Sequence, residues 1–221
     1  MTTVIIDFGT SNTVVCTTDL ITQKPRTLRF DSMSRRFEIG AEQVSVVPSL
    51  VFVEGRDRIS FGESVRAKRL GFAQPERCFR AFKRDLAADF VPPPRQLDGN
   101  SYSAEVVSEL FLKEIWQQVE QQLQPSSVIF TVPVGAFERY LDWFRNLGDK
   151  LNIPAVQIVD ESTAAALGYA VKHPGAVVLV VDFGGGTLDL SLVRTVSAES
   201  EQQVVRAEVI AFRHSKFCPS W

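Results

Sequence analysis

Apolar and polar residues alternate through Val4–Ile6 and again through Thr13–Thr17, while the intervening Gly9–Asn12 are small or polar. A period of two in β-branched residues predicts the two strands of a β-hairpin. Strand-like pieces recur over Val44–Val53, where Pro48 suits an edge or a bulge. The period then lengthens. The segments FGESVRAKRLGFA (Phe61–Ala73) and PERCFRAFKRDLA (Pro75–Ala87) read as two short helices, the second with proline in its first turn. FVPPPRQLDGN, Phe90–Asn100, reads as a loop. Behind Ser103, a capping residue, the apolar Val107, Phe111, Ile115, Val119 and Leu123 recur every four positions, which predicts the clearest helix of the chain. Its aromatic stripe, with Phe111 and Trp116, reads as core.

The strand SVIFTV follows, then Pro133, a helix around Phe137–Lys150, a strand AVQIV and a helix ESTAAALGYAVK. This alternation implies an α/β protein whose sheet is covered by helices. A second hairpin, VVDFGGGTLDL at Val180–Leu190, has the layout of the first, and QVVRAEVIAF at Gln203–Phe212 predicts a last strand.

Composition narrows the partners. With 45% hydrophobic residues in 221, the chain can bury a full domain core, and a net charge of −2 gives neither a nucleic-acid footprint nor a basic membrane face. The basic cluster Arg66–Arg69 reads as a solvated helix face, and nucleic acid and membrane are not expected partners. The cysteines, Cys16, Cys78 and Cys218, are odd in number and lack metal spacing, which fits a reducing, cytoplasmic setting. No basic region precedes an apolar leader, and Ala176–Val181 is too short to span a bilayer. His173 and His214 have no partner at metal or triad spacing and read as surface residues.

A strand ending in aspartate, a glycine-rich turn and a second strand can aim several backbone N–H groups at one anion, because glycine permits φ > 0 and close approach. Asp7 and Asp182 stand at the edges of two such turns. Two turns facing each other would enclose a polyphosphate with Mg²⁺, a cation that takes few carboxylates. There is no Walker loop, and neither turn has the G-x-G-x-x-G order opening a helix. The DFG triplets at Asp7 and Asp182 lack the H-R-D and A-P-E segments of protein kinases.

Together, DFGTSN, FTVP, DESTAAALGYA and VVDFGGGTLDLSLV closely resemble the phosphate and connecting motifs of the actin-like ATPase superfamily. VVPSLVFV, FGESVRAKR and FKR resemble the Hsp70 chaperones within it. The resemblance runs to about residue 211 and implies a ribonuclease-H-like fold with ATP or ADP and Mg²⁺ between two lobes. It implies phosphate cradles at Gly9, Thr10, Ser11 and Asn12 and at Gly184, Gly185, Gly186 and Thr187, with Asp7 and Asp182 holding hydrated Mg²⁺. It makes Lys83 the catalytic lysine and Glu161 the carboxylate that orients the attacking water; Thr187 lies by the γ-phosphate, and Pro133 and Arg139 match a hinge proline and an interlobe arginine. Without the resemblance, Lys83 would be a solvated lysine, Glu161 a helix N-terminal charge, and Asp189 a turn stabiliser.

The chain departs from the family at Ser162, where a proline is usual and whose change would loosen the approach to the following helix, and from Phe212 onward, where FRHSKFCPSW looks unrelated. The resemblance therefore implies lobe I over 1–173, with an inserted subdomain at about 31–100, and an incomplete lobe II over 174–221 with an atypical tail from 212. The adenosine motif and the peptide-binding domain are missing from it. The function implied is an Hsp70-like ATPase domain with nucleotide and J-domain co-chaperones as partners. The alternatives are a non-enzymatic partner-binding fragment, a remnant of a disrupted gene, and an actin-like filament protein.

Overall fold

The structure is a computed structural model that describes residues 2–40, 42–56, 58–88, 91–134, 136–170, 175–185, 187–196 and 206–216. It packs as two compact units, Met1–Phe130 with Phe137–Gln157, and Thr131–Ala136 with Ile158–Trp221. The sequence-based boundary at residue 173 falls after the helix ESTAAALGYA; the division by packing falls before it. Among the described residues no helix is long and apolar enough to cross a membrane.

In the first unit, strands β1 (Thr3–Phe8) and β2 (Asn12–Thr18) form the expected antiparallel hairpin, with Asp7 opposite Val14 and Phe8 opposite Thr13. Alternation along β1 buries Val4, Ile6 and Phe8 completely and leaves Asp7 exposed. The short β3 (Pro25–Thr27) pairs with β2. The strand-like pieces of Val44–Val53 belong to two different sheets. β4 (Arg35–Ile39) and β5 (Glu42–Pro48) extend the main sheet, whereas β6 (Leu50–Gly55) joins β7 (Arg58–Phe61) in a second sheet, and Ser49 is the joint between them. Pro48 ends β5, where its missing N–H is tolerated.

The two predicted short helices are also broken up. Arg69, at φ 52°, separates α1 (Glu63–Ala67) from α2 (Leu70–Ala73). Pro75 opens only a 3₁₀ turn, and the chain then forms β8 (Cys78–Arg80), which pairs with β6, before α3 (Phe82–Leu86) begins. Burial of the adjacent Cys78 and Phe79 against a strand overrides the local helical pattern. The Arg66–Arg69 cluster is exposed, as expected. The predicted loop contains a hairpin, β9 (Arg95–Leu97) and β10 (Asn100–Tyr102), closed by Asp98 and Gly99 at φ 52° and 83°. Asp-Gly is the residue pair that such a turn favours.

Helix α4 (Ala104–Gln122) starts where the pattern placed it, with the Ser103 side chain accepting from Val106 N. Val107, Phe111, Ile115, Trp116 and Val119 are buried. Strand β11 (Ser127–Val132), helix α5 (Glu138–Lys150) and strand β12 (Val156–Asp160) complete a mixed sheet of order β12-β11-β1-β2-β5-β4. Its core is aromatic: Phe8 lies 5.9 Å from Phe82, 6.1 Å from Phe111 and 6.4 Å from Phe144, whose ring is 4.6 Å from that of Phe130. The second unit holds α6 (Glu161–Ala170) and the antiparallel sheet β13 (Val177–Phe183), β14 (Thr187–Val196) and β15 (Arg206–Lys216). β15 runs past the expected end at Phe212, so Arg213–Lys216 of the atypical tail pair with Thr187–Leu190. His173 and Cys218 lie outside the described residues.

Two outcomes follow. Phe144→Ala removes a fully buried ring with several aromatic neighbours and should cost about 3–5 kcal/mol in urea unfolding; a loss under about 1 kcal/mol would contradict this packing. On β2, burial pushes the Cys16 thiol up from its ordinary value and the Asp7 charge adds to the shift. The raised value holds Cys16 protonated where a free thiol ionises. In a Cys78→Ser/Cys218→Ser background, iodoacetamide at pH 8 should therefore label it more slowly than a model thiol, and any stability from the protonated form is lost as pH rises through the thiol range. Labelling as fast as a free cysteine would refute the shift.

Candidate functional site

The first glycine turn is fixed from both ends. Gly9 is required by close approach and not by φ, because a Cβ there would lie 2.2 Å from the Asn12 carbonyl oxygen. Ser49, at the joint between β5 and β6, holds the turn from outside: its Oγ donates to Gly9 O at 2.7 Å and its N–H to Ser11 O at 2.9 Å. Its single hydroxyl proton is thus engaged, so Thr13 Oγ1, at 3.0 Å, donates to Ser49 Oγ. Ser11 and Asn12 are exposed at the tip, Thr10 is half-buried and Asp7 is exposed at the foot.

Lys83 belongs to the same unit and is not a solvated lysine. It is only 6% exposed, in the first turn of α3, directly after Phe82, whose ring packs on Phe8 and Phe111. Ala81, at φ 53°, turns the chain into this helix. Burying an ammonium group is costly, and proteins do it where polar contacts compensate. Arg139 sits on the surface in an ion pair with Glu105, N···O 2.7 Å. Pro133, in the second unit, accepts from Ala136 N at 3.2 Å in a turn.

The second turn is built on the register of β13 and β14, which sets Asp182 opposite Asp189 and Phe183 opposite Leu188. Gly184 N donates to Thr187 O at 2.9 Å, and a Cβ on Gly184 would meet Thr187 Oγ1 at 3.2 Å. Gly185 is exposed, and Gly186 lies outside the described residues. Asp160 caps α6 by accepting from Thr163 N and Oγ1, at 2.7 and 2.5 Å. That cap presents Glu161, the first residue of the helix, to the strand pair. Carboxylate oxygens of Glu161, Asp182 and Asp189 all lie within 4.8 Å of one another. Ser162 tightens the helix: it is buried and its Oγ lies 2.7 Å from Ser191 Oγ on β14, where the missing proline was expected to loosen the approach.

Three carboxylates this close repel one another unless a cation or protons intervene. Mg²⁺ binds oxygen at about 2.0–2.1 Å, so ligand atoms on one ion lie up to roughly 4.2 Å apart. Hard oxygen donors with this spread fit a magnesium ion after slight closure or through a bridging water. Sequence reasoning placed Glu161 and Asp182 in the site but left Asp189 as a turn residue; it is buried, mid-strand, and hydrogen bonded to His214 Nδ1. His214 is exposed, as expected, but it has a partner in Asp189. Pairing outward from Gly185, the centre of the glycine run, would put 182 against 188; the register is shifted by one and puts 182 against 189, which the sequence did not mark. Nothing local marked Ser49. Asp7, Gly9–Asn12 and Lys83 belong to the first unit, and Glu161, Asp182, Asp189, Gly184 and Thr187 to the second.

The Hsp70 protein family model matches residues 40–202, a stretch that contains Lys83, Glu161, Asp182 and Thr187. The chain is 30% identical over 157 residues to the chaperone protein DnaK of Thermotoga petrophila, covering 69% of this chain and 26% of that protein. To the DnaK chaperone of Thermosipho africanus it is 29% identical over 192 residues, 85% of this chain and 29% of the relative. It therefore spans between a quarter and a third of the length of these relatives, over their N-terminal nucleotide-binding region. A family model that matches most of the chain, including the glycine turn and the acids beneath it, shows that this protein belongs to the Hsp70 family.

Proposed function

We propose that the chain binds the phosphates of ATP or ADP with Mg²⁺ through its two glycine turns and that it supplies the hydrolytic residues of an Hsp70-type ATPase. The observation that carries this reading is the convergence of Glu161, Asp182 and Asp189 beneath the Gly184–Thr187 turn. Backbone N–H groups of Gly9–Asn12 and Gly184–Thr187 would receive phosphate oxygens. The Thr187 hydroxyl would lie by the γ-phosphate; Asp182, with Glu161 and Asp189 beside it, would hold the hydrated cation, a role that the family resemblance also gives Asp7; and Glu161 would orient the attacking water. Lys83 would stabilise charge that develops on the transferring phosphoryl group. Bound Mg²⁺ would supply charge neutralisation at the phosphate oxygens. J-domain co-chaperones and a cytoplasmic setting follow from the same family reading. A second reading, a non-enzymatic module that associates with another chain, is favoured by one feature. Val177, Leu179, Val181 and Phe183 on β13 are each more than half exposed, along the sheet face opposite the one that carries Ser191, the bonding partner of α6.

Calorimetry with Mg²⁺-pyrophosphate on residues 1–221 tests the site directly. The contacts assigned here are all to phosphate, so ATP, GTP and pyrophosphate should bind within about 10-fold of one another, since charge-assisted hydrogen bonds contribute roughly 1.5–3 kcal/mol each. Asp182→Asn should weaken all three by about 10-fold or more. Binding indifferent to Asp182→Asn would refute the reading, and self-association without phosphate binding would favour the second one.

Lys83→Ala should lower single-turnover ATP hydrolysis by about 10²-fold or more, the range for deleting one charge-stabilising group, while ATP affinity changes far less. Equal losses in both would make Lys83 a general phosphate anchor, and wild-type binding without any hydrolysis would remove its catalytic role.

A further inference from the structure

The strand register aligns three polar side chains across the second sheet: Asp182 on β13 lies opposite Asp189 on β14, and Asp189 lies opposite His214 on β15. All three share the sheet face that carries Ser191, the residue through which α6 is tied down, and Glu161 joins them from the start of that helix. His214 belongs to none of the glycine motifs. It reaches the site because β15 continues to Lys216, and its Nδ1 is hydrogen bonded to Asp189 Oδ1. Asp189 is 8% exposed, so little solvent competes for that oxygen.

We propose that His214 is a positioning residue for the cation-binding carboxylates. The inference rests on the magnesium reading of Glu161, Asp182 and Asp189. The terminal torsion of an aspartate is broad, so a carboxylate held at its Cβ alone can turn its oxygens through a wide arc. An imidazole N–H on Oδ1 sets the plane of the group, and with it the direction of Oδ2. Alternation along β15 places Arg213 and Ser215 on the opposite face, and Phe212, on the same face as His214, brings no polar group. Partners of this kind, one bond removed from the ion, change metal affinity by about 10–100-fold when deleted.

Mn²⁺ alone, without nucleotide, titrated into the 221-residue chain and followed by electron paramagnetic resonance, reads this separately from turnover. Asp182→Asn should abolish or strongly weaken binding; if it does not, the cation reading fails and the proposal with it. His214→Phe should weaken Mn²⁺ binding about 10-fold with an unchanged far-ultraviolet circular dichroism spectrum. His214→Asn, whose amide N–H falls near the position of Nδ1, should stay within about threefold of wild type, while His214→Gln, whose amide falls nearer Nε2, should not. If His214→Phe does not fold, the order of the Asn and Gln variants decides. Sensitivity to Asp182→Asn combined with equal or tighter Mn²⁺ binding in the Phe and Gln variants would overturn the positioning role and leave the cation site standing.

Discussion

The aromatic contact between Phe8 and Phe82 governs the first unit. Each ring is fully or almost fully buried, and each residue is a direct chain neighbour of a site residue, Asp7 before Phe8 and Lys83 after Phe82. Strand alternation then does the rest on the β1 side, because a buried Phe8 requires Asp7 on the other face. On the α3 side, Ala81 in the left-handed region and Phe82 in the core leave Lys83 in a protected position. The glycine turn between β1 and β2 inherits the same anchoring through Gly9, where backbone approach excludes any side chain, and through Ser49, which ties two of its carbonyls.

In the second unit the governing constraint is electrostatic. The hairpin register places two aspartates opposite each other, and a capped helix adds a glutamate, so three carboxylates that repel one another are brought together. In the proposed reading, a cation shared by the three would offset that repulsion. The supports around the trio are short and specific: the Asp160 cap on Thr163, the Ser162–Ser191 bond and the Asp189–His214 bond. The first two hold α6, which carries Glu161, and the last two hold β14, which carries Asp189.

Membership of the Hsp70 family accounts for the motifs, and the strand β13 is apolar on both sides over Val177–Val181. A strand flanked by cover on each face reads as a continuous apolar run. Here the face toward α6 is packed, and the other shows Val177, Leu179 and Val181. The chain matches between a quarter and a third of the length of its DnaK relatives.

Long periodic elements were legible in the sequence. Helix α4 and its Ser103 cap, α5, and both glycine hairpins follow from spacing alone, since burial of one face and the needs of a tight turn are local demands. The glycine turns and the place of Asp7 and Asp182 at their edges were legible for the same reason, whereas Glu161 entered only through the family resemblance. What failed was short and non-local. Val44–Val53 split between two sheets, Cys78–Arg80 became a strand because β6 was there to pair with it, and the proline-rich segment hid an Asp-Gly hairpin. The burial of Lys83, the Ser49 staple, and the approach of Asp189 and His214 depend on residues far apart in the chain. The sequence by itself determined where the strands turn and which residues carry charge at the turns, because those follow from side-chain period and glycine geometry. Only the tertiary structure decided which of those charges are buried and which oxygens meet, because desolvation and strand register are set by partners that no local pattern names.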